Sequence, residues 1–434
     1  MQTRTAFSRT ALAATFNLKT KGKKAFYAIL TLIFALSLSV IWLANGVSSQ
    51  AEELKNLRGE DAVKRLRQNG QYDSLTKAFS AVRRAERVQN DSASFTASEA
   101  MPPTAKLYAP DGAPANFFGY SVALSGDTAI VGVPLDSLES INPASVSEGS
   151  AYIFTRSGTS WTLQQKLTAP DGSNRDYFGA NVSIDGDTAV VGALFDDVGA
   201  NANQGSAYIF TRSGTVWTQQ AKLTAAQGAA GDRFGASVEI SGETIVVGTK
   251  RDQGAAYVFT RSGTTWTQQQ QLTPSNGAAG DEFGASVAIN VDTILVSAAG
   301  RPVSGADNQG AVYVFTRAGG VWSEQQILTA VDGAAGDRFG SDLAITGDTA
   351  IIGANFDDIG GAADQGSAYI FTKSGSVWTQ QAKLLAADGA AGDHFGSSVA
   401  LGGNTAVVGA PDNDFPGILD DIYVNAGSAY VFTG

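Results

Sequence analysis

Cysteine is absent from all 434 residues, and histidine occurs once, at His394. No disulfide can staple the fold, which suits an exported chain that needs no bridges. With no thiol and a single imidazole, nucleophile, base and orienting acid cannot be assembled, so the chain is read as a non-enzyme. No glycine-rich loop follows a strand and opens a helix, which excludes a phosphate cradle. Positive charge is scarce where the chain is longest: residues 103–434 hold 15 Lys or Arg against 33 Asp or Glu, a net −18. So acidic a region repels nucleic acid, whose binding rests on neutralised phosphates, and favours cations or basic partners.

Long apolar runs are missing too, with one exception. Residues 25–44, AFYAILTLIFALSLSVIWLA, are uncharged and follow a basic leader at 1–24 with six Lys or Arg and no acid. Their length matches a bilayer span and exceeds the apolar stretch of a cleaved signal peptide, so a transmembrane signal anchor is expected. The basic flank stays in the cytoplasm and everything after Asn45 is exported. Small residues at Val47-Ser48-Ser49 and Ser49-Gln50-Ala51 keep the alternative open, secretion after cleavage. Residues 45–102 read as a short helical stalk and linker: Leu54, Leu57, Val63 and Leu66, then Leu75, Phe79 and Val82, fall at helical spacing on either side of Asn69-Gly70. Asn90 to Pro103 has no long apolar run and reads as the linker itself.

What is abundant beyond residue 103 is repetition. A phrase of about 56 residues recurs six times, anchored by Phe118-Gly119, Phe178-Gly179, Phe234-Gly235, Phe283-Gly284, Phe339-Gly340 and Phe395-Gly396. One copy reads FGSDLAIT, TAIIGA, GSAYIFTK and VWTQQAKLL, four short β-rich runs that we denote A to D. The A to B turns are pairs such as Gly126-Asp127, Gly186-Asp187 and Gly347-Asp348, with Val291-Asp292 the exception, and Ser-Gly turns join C to D. Two-residue turns with glycine enforce antiparallel hairpins, because glycine accepts positive φ without strain. The fold class is therefore all-β: a six-bladed β-propeller of four-stranded antiparallel blades over residues 103–434. Thr104-Ala105-Lys106-Leu107 matches the D-strand phrase Gln381-Ala382-Lys383-Leu384, and the last copy stops after its C strand. The N-terminal phrase is thus expected to supply the missing D strand of the last blade and close the ring.

These residues resemble the bacterial FG-GAP repeat proteins, relatives of the integrin α-chain propeller. The paired mark is Phe-Gly with a Gly-Ala-Pro-like element, seen as Val131-Gly132-Val133-Pro134, Val191-Gly192-Ala193, Val247-Gly248-Thr249, Ile352-Gly353-Ala354 and Val408-Gly409-Ala410-Pro411, and degenerate at Val296-Ser297-Ala298. Integrin propellers have seven blades, so the resemblance leaves a seventh open. It also implies a DxDxDG-type calcium loop between strands A and B. Here that connection has shrunk to a two-residue turn, which cannot supply the six to eight oxygens Ca²⁺ requires.

Strand parity places every tight turn on one face and every long connection on the other, where binding residues ordinarily lie. Acidic residues gather in the long B to C loops, at Asp196, Asp197, Asp357, Asp358, Asp364, Asp412 and Asp414, with Asp420 and Asp421 beyond. These are the candidate Ca²⁺ ligands, and a merely solvated set of acids is the alternative. Two positions before each Phe-Gly stands Asn116, Asp176, Asp232, Asp281, Asp337 or Asp393. An Asx turn explains them, and a carboxylate ring at the axis mouth is the sharper alternative. The repeated Trp161, Trp217, Trp266, Trp322 and Trp378 fit packing between blades better than a sugar platform. The reading is an exported, membrane-anchored, adhesion-like module that recognises an extracellular or envelope protein or glycan through its acidic loop face. An accessory domain of an extracellular hydrolytic enzyme and a purely structural envelope protein are the alternatives.

Overall fold

The computed structural model of the chain describes residues 96–97, 106–112, 116–136, 148–251, 253–413, 415–416, 422–423 and 427–434. The leader, the apolar run at 25–44 and the expected stalk helices lie outside the described residues. Among the described residues every regular element is a strand, and no helix is long and apolar enough to cross a membrane.

After β1 (Thr96–Ala97), the first blade comprises β2 (Ser121–Ser125), β3 (Thr128–Val133), β4 (Ser150–Ser157) and β5 (Ser160–Leu167); the second β6 (Phe178–Asp185), β7 (Thr188–Ala193), β8 (Ser206–Ser213) and β9 (Val216–Leu223). The third holds β10 (Ser237–Ser241), β11 (Thr244–Gly248), β12 (Ala256–Ser262) and β13 (Thr265–Leu272), and the fourth β14 (Phe283–Asn290), β15 (Thr293–Ala298), β16 (Ala311–Ala318) and β17 (Val321–Leu328). The fifth holds β18 (Leu343–Thr346), β19 (Thr349–Ala354), β20 (Ser367–Ser374) and β21 (Val377–Leu384). In the sixth, β22 (Ser398–Gly402) and β23 (Thr405–Ala410) are followed by a loop pair, β24 (Phe415–Pro416) and β25 (Ile422–Tyr423), before β26 (Ser428–Thr433). Each blade is an antiparallel meander in sequence order, and the sheet order of the sixth is β1-β26-β23-β22.

Period-2 alternation buries both faces of the inner strands between neighbouring blades. Phe178 anchors one such junction: it is fully buried and meets Tyr208 and Phe210 edge-on, with ring centroids 5.3 and 6.1 Å away. The same junction holds Ile130 and Ile153 of the first blade and Trp217 of the second, which confirms the tryptophans as packing between blades. Burying a side chain of this size contributes about 1.5–3 kcal/mol. The pattern recurs at every junction from blades one and two to blades five and six.

The junction between blades six and one differs in two ways. The closing strand pairs with β26 through Thr96–Ala97, with Thr96 opposite Thr433 and Ala97 opposite Phe432, upstream of the expected Thr104–Leu107. Leu107 and Ala109 pack beside Val131 and Tyr152 of the first blade as Leu167 and Ala169 pack beside Val191 and Tyr208 of the second, so the tail of the expected strand keeps its place against the next blade, and Thr104 and Ala105 lie outside the described residues. The reason is in the spacing: from Thr379, the residue in the register of Thr96, to Phe395 is 16 residues, whereas Thr96 to Phe118 is 22. Pro102 and Pro103, which offer no ladder hydrogen bond, fall inside the extra stretch. The walls of this junction are also unsealed. Val122 and Leu124 are 68% and 64% exposed, where their counterparts Val182 and Ile184 are 6% and 7% exposed.

Candidate functional site

The D to A crossings and the B to C loops share one face, and each crossing is built alike. Asp176 Oδ2 accepts the Ser173 N–H at 2.6 Å, and Asp232, Asp281, Asp337 and Asp393 accept the N–H three residues earlier at 2.6–2.9 Å. Each carboxylate thus bonds the backbone of its own crossing as expected, but three residues back rather than two residues on as in an Asx turn. The carboxylates point inward, with Asp281 1% and Asp393 2% exposed, so the alternative of a carboxylate ring around the axis mouth is not formed. Burial pushes Asp176 up to about 6 against the hydrogen bond from Ser173, and Asp196 and Asp197 add repulsion.

The next residue in each crossing holds a left-handed backbone. Phe117, Tyr177, Arg233, Glu282, Arg338 and His394 have φ of 53–58°, an uncommon conformation for residues with a Cβ. The Phe and positive-φ Gly that follow fix the turn, so side chains of five kinds, Arg occurring twice, share one geometry on the rim of this face. Tyr177 meets the Phe195 ring at 5.0 Å and Arg233 lies over the same ring at 5.2 Å. Arg338 ion-pairs with Glu282. His394 Nδ1 is 2.7 Å from Asp412 Oδ2, and its ring meets Phe356 at 4.8 Å.

Beneath the rim, blades one, two and five carry a charged latch. In blade two, Lys222 Nζ lies 2.6 Å from Asp171 Oδ2 and 2.7 Å from Asp196 Oδ2, while the Tyr208 hydroxyl donates to Asp171 at 2.8 Å. Ser206 also donates to Asp196. Burial opposes the charge of Lys222, but the hydrogen bonds to Asp171, Asp196 and Tyr208 outweigh it and hold the pKa above the ordinary lysine value. Lys166 with Asp111 and Asp136, and Lys383 with Asp332 and Asp357, repeat the arrangement.

The candidate calcium ligands are therefore spent separately. Asp196 and Asp357 face lysines, Asp412 faces His394, and Asp197 and Asp358 accept the Asn203 and Asp364 N–H groups at 2.7 and 2.9 Å. Asp364 serves as that backbone donor, and Asp414, Asp420 and Asp421 lie outside the described residues. Among the described residues no three His, Cys, Asp or Glu come together as metal ligands.

Blades three and four lose the latch. Gln271 and Ile327 stand in the register of Lys222, opposite Tyr257 and Tyr313, and the third B to C loop shrinks to Lys250–Gln253. The shortened loop leaves a depression of ≈ 250 Å³ lined by Gly231, Arg233, Lys250, Arg251 and Glu282. A larger depression of ≈ 440 Å³ lies on the turn face, but its cations are already neutralised, Arg212 by Asp187 at 2.6 Å and Arg261 by Glu243. The smaller one is thus the better candidate for a ligand. Reading the sequence finds the short loop and misses its cations; the available signal is a Lys-Arg pair within a net −18 region.

The chain finds no match among curated proteins. The family pattern described as FG-GAP repeat matches residues 103–154, 161–210, 217–259, 266–315, 322–371 and 378–432, one match for each Phe-Gly copy. With six matches covering most of the chain and the propeller they predict, this protein belongs to the FG-GAP repeat family.

Proposed function

We propose that the chain is an exported binding module, anchored in the cytoplasmic membrane by residues 25–44, that recognises an extracellular or envelope protein or glycan with its loop face. The observation that carries this reading is the contrast at the crossings. Residues that hold the scaffold repeat from blade to blade, whereas Phe117, Tyr177, Arg233, Glu282, Arg338 and His394 share one backbone geometry across five side-chain types. A rigid frame that presents dissimilar side chains from loops is how scaffolds build recognition surfaces. Recognition of this kind makes and breaks no bond.

The test has two arms. Protease added to intact cells digests the propeller if it lies outside the cytoplasmic membrane, and full protection would remove the exported reading. The purified full chain, immobilised, retains a defined envelope protein or glycan saturably; Tyr177→Ser with His394→Ser weakens this about tenfold, and Asp292→Ser on the turn face leaves it unchanged. Equal loss in both variants, or turnover of an ester or glycosidic bond, would overturn it.

A further inference from the structure

We propose that the third blade carries an oxyanion site on the loop face, which takes a sulfate, phosphate or carboxylate group of an acidic ligand. The inference rests on that face being the recognition surface and adds the chemistry of one contact.

Most cations of this acidic domain are committed to internal carboxylates. Arg156, Arg212, Arg261 and Arg317 pair with acids of the A to B turns, and Lys166, Lys222 and Lys383 sit in the latches. Arg233 and Lys250 are exposed, and among the described residues neither has a carboxylate within ion-pair distance. The Phe195 ring, 5.2 Å from the Arg233 guanidinium, orients that group without neutralising it. Arg251 lines the same depression but is paired with Asp232 Oδ1 at 3.0 Å and donates to the Ala230 carbonyl at 2.9 Å. Glu282, the one carboxylate of the lining, is already engaged by Arg338.

With Arg251 paired to Asp232 and Glu282 to Arg338, the described lining offers two unpaired cations, Arg233 and Lys250, inside a domain of net −18. A localised positive well on a negative surface attracts a single anionic group while the rest of the face repels it, which sets the orientation of the ligand. A guanidinium and an ammonium converging on a depression of ≈ 250 Å³ suit the several acceptor oxygens of one oxyanion. The site exists because the third B to C loop is short; in blades two and five the longer loops run on to Gln204 and Gln365 from the same starting point.

The full chain is titrated with sodium sulfate, phosphate and acetate at fixed ionic strength, with chloride as the control, by calorimetry and by the shift in melting temperature. The expected result is a saturable response to at least one oxyanion and none to chloride. Their ranking tells sulfate, phosphate and carboxylate sources apart. Arg233→Gln and Lys250→Gln each weaken the response about tenfold. A response shared by chloride, no saturable response, or wild-type affinity in both variants would overturn the proposal. The unliganded melting temperature checks that the variants fold, and Lys250→Gln alone decides if Arg233→Gln lowers it. Partner retention by the chain is read separately with the Tyr177 and His394 variant, so failure here leaves the wider reading standing.

Discussion

At Gly192 the absence of a side chain sets how closely blades two and three approach: a Cβ there would lie 2.1 Å from the Gly235 carbonyl oxygen. The Gly of the Gly-Ala-Pro-like element in one blade therefore seats the Gly of Phe-Gly in the next, which is why the two marks occur together. Gly192→Ala is expected to cost about 3 kcal/mol, the upper range for overpacking a tight site, read as a lower urea midpoint at unchanged slope. Glu239 makes a different residue-scale prediction. Burial pushes its carboxyl up to about 8, with Asp342 and Asp185 adding repulsion, although Ser183 donates a hydrogen bond to it. The folded state then holds a proton that the unfolded chain releases near the ordinary 4.5, so the contribution to stability is full below that pH and is lost as pH rises through 8. Glu239→Gln, which does not titrate, should gain on the wild type by up to about 1.4 kcal/mol per pH unit across that window, measured by urea unfolding at pH 5, 7 and 9. The Gly pairs were legible as a motif; Glu239 was not, because its burial and its charged neighbours on blades two and five are set by packing.

Strands are held to the next blade by side chains that the repeat carries in register. In the D strands a bulge follows the third C to D pair, and the residue displaced there, Gln164, accepts the Trp217 indole N–H at 2.7 Å. Its neighbour Gln165 both donates to the Trp217 carbonyl and accepts the Trp217 N–H, at 2.7 and 2.8 Å. On the turn face, Arg212 bonds Asp187 and Thr128 of the preceding blade while lying over Trp217 at 5.1 Å. The loop-face latch is the most consequential of these devices. Asp196 is nearly enclosed, so Lys222→Met strands a buried charge and should destabilise the chain by about 3–5 kcal/mol. Adding Asp196→Asn should recover much of that loss, and a double-mutant cycle in urea that showed simple additivity would rule out the latch. The sequence displays these Gln, Arg and Lys residues as repeated polar letters; what they bond to depends on which blade stands alongside.

Across the whole propeller, stability should be uneven. Five junctions bury continuous apolar cores, whereas the walls between blades six and one leave Val122 and Leu124 exposed and rely on the two register pairs of β1 with β26. Native-state hydrogen exchange should release β22, β26 and β2 well before β7, β11, β15 and β19. Uniform protection around the ring would mean that the sixth junction is sealed in solution. The number of blades, their strand order and the two-faced division of turns and loops were all legible, because period, turn length and alternation are local properties. The position of the closing strand was not: the Thr104–Leu107 match records only the tail of a D strand, and the register that selects Thr96–Ala97 is a contact between the two ends of the fold.

By itself the sequence determined a repeated four-stranded unit and its hairpins, since each follows from spacing within a single copy. Tertiary structure alone decided that Asp196 and Asp357 pair with lysines, and that Arg233, Lys250 and Arg251 line one depression. Charge pairing depends on distance in space, and residues from separate crossings and loops acquire that distance only when the blades are packed side by side.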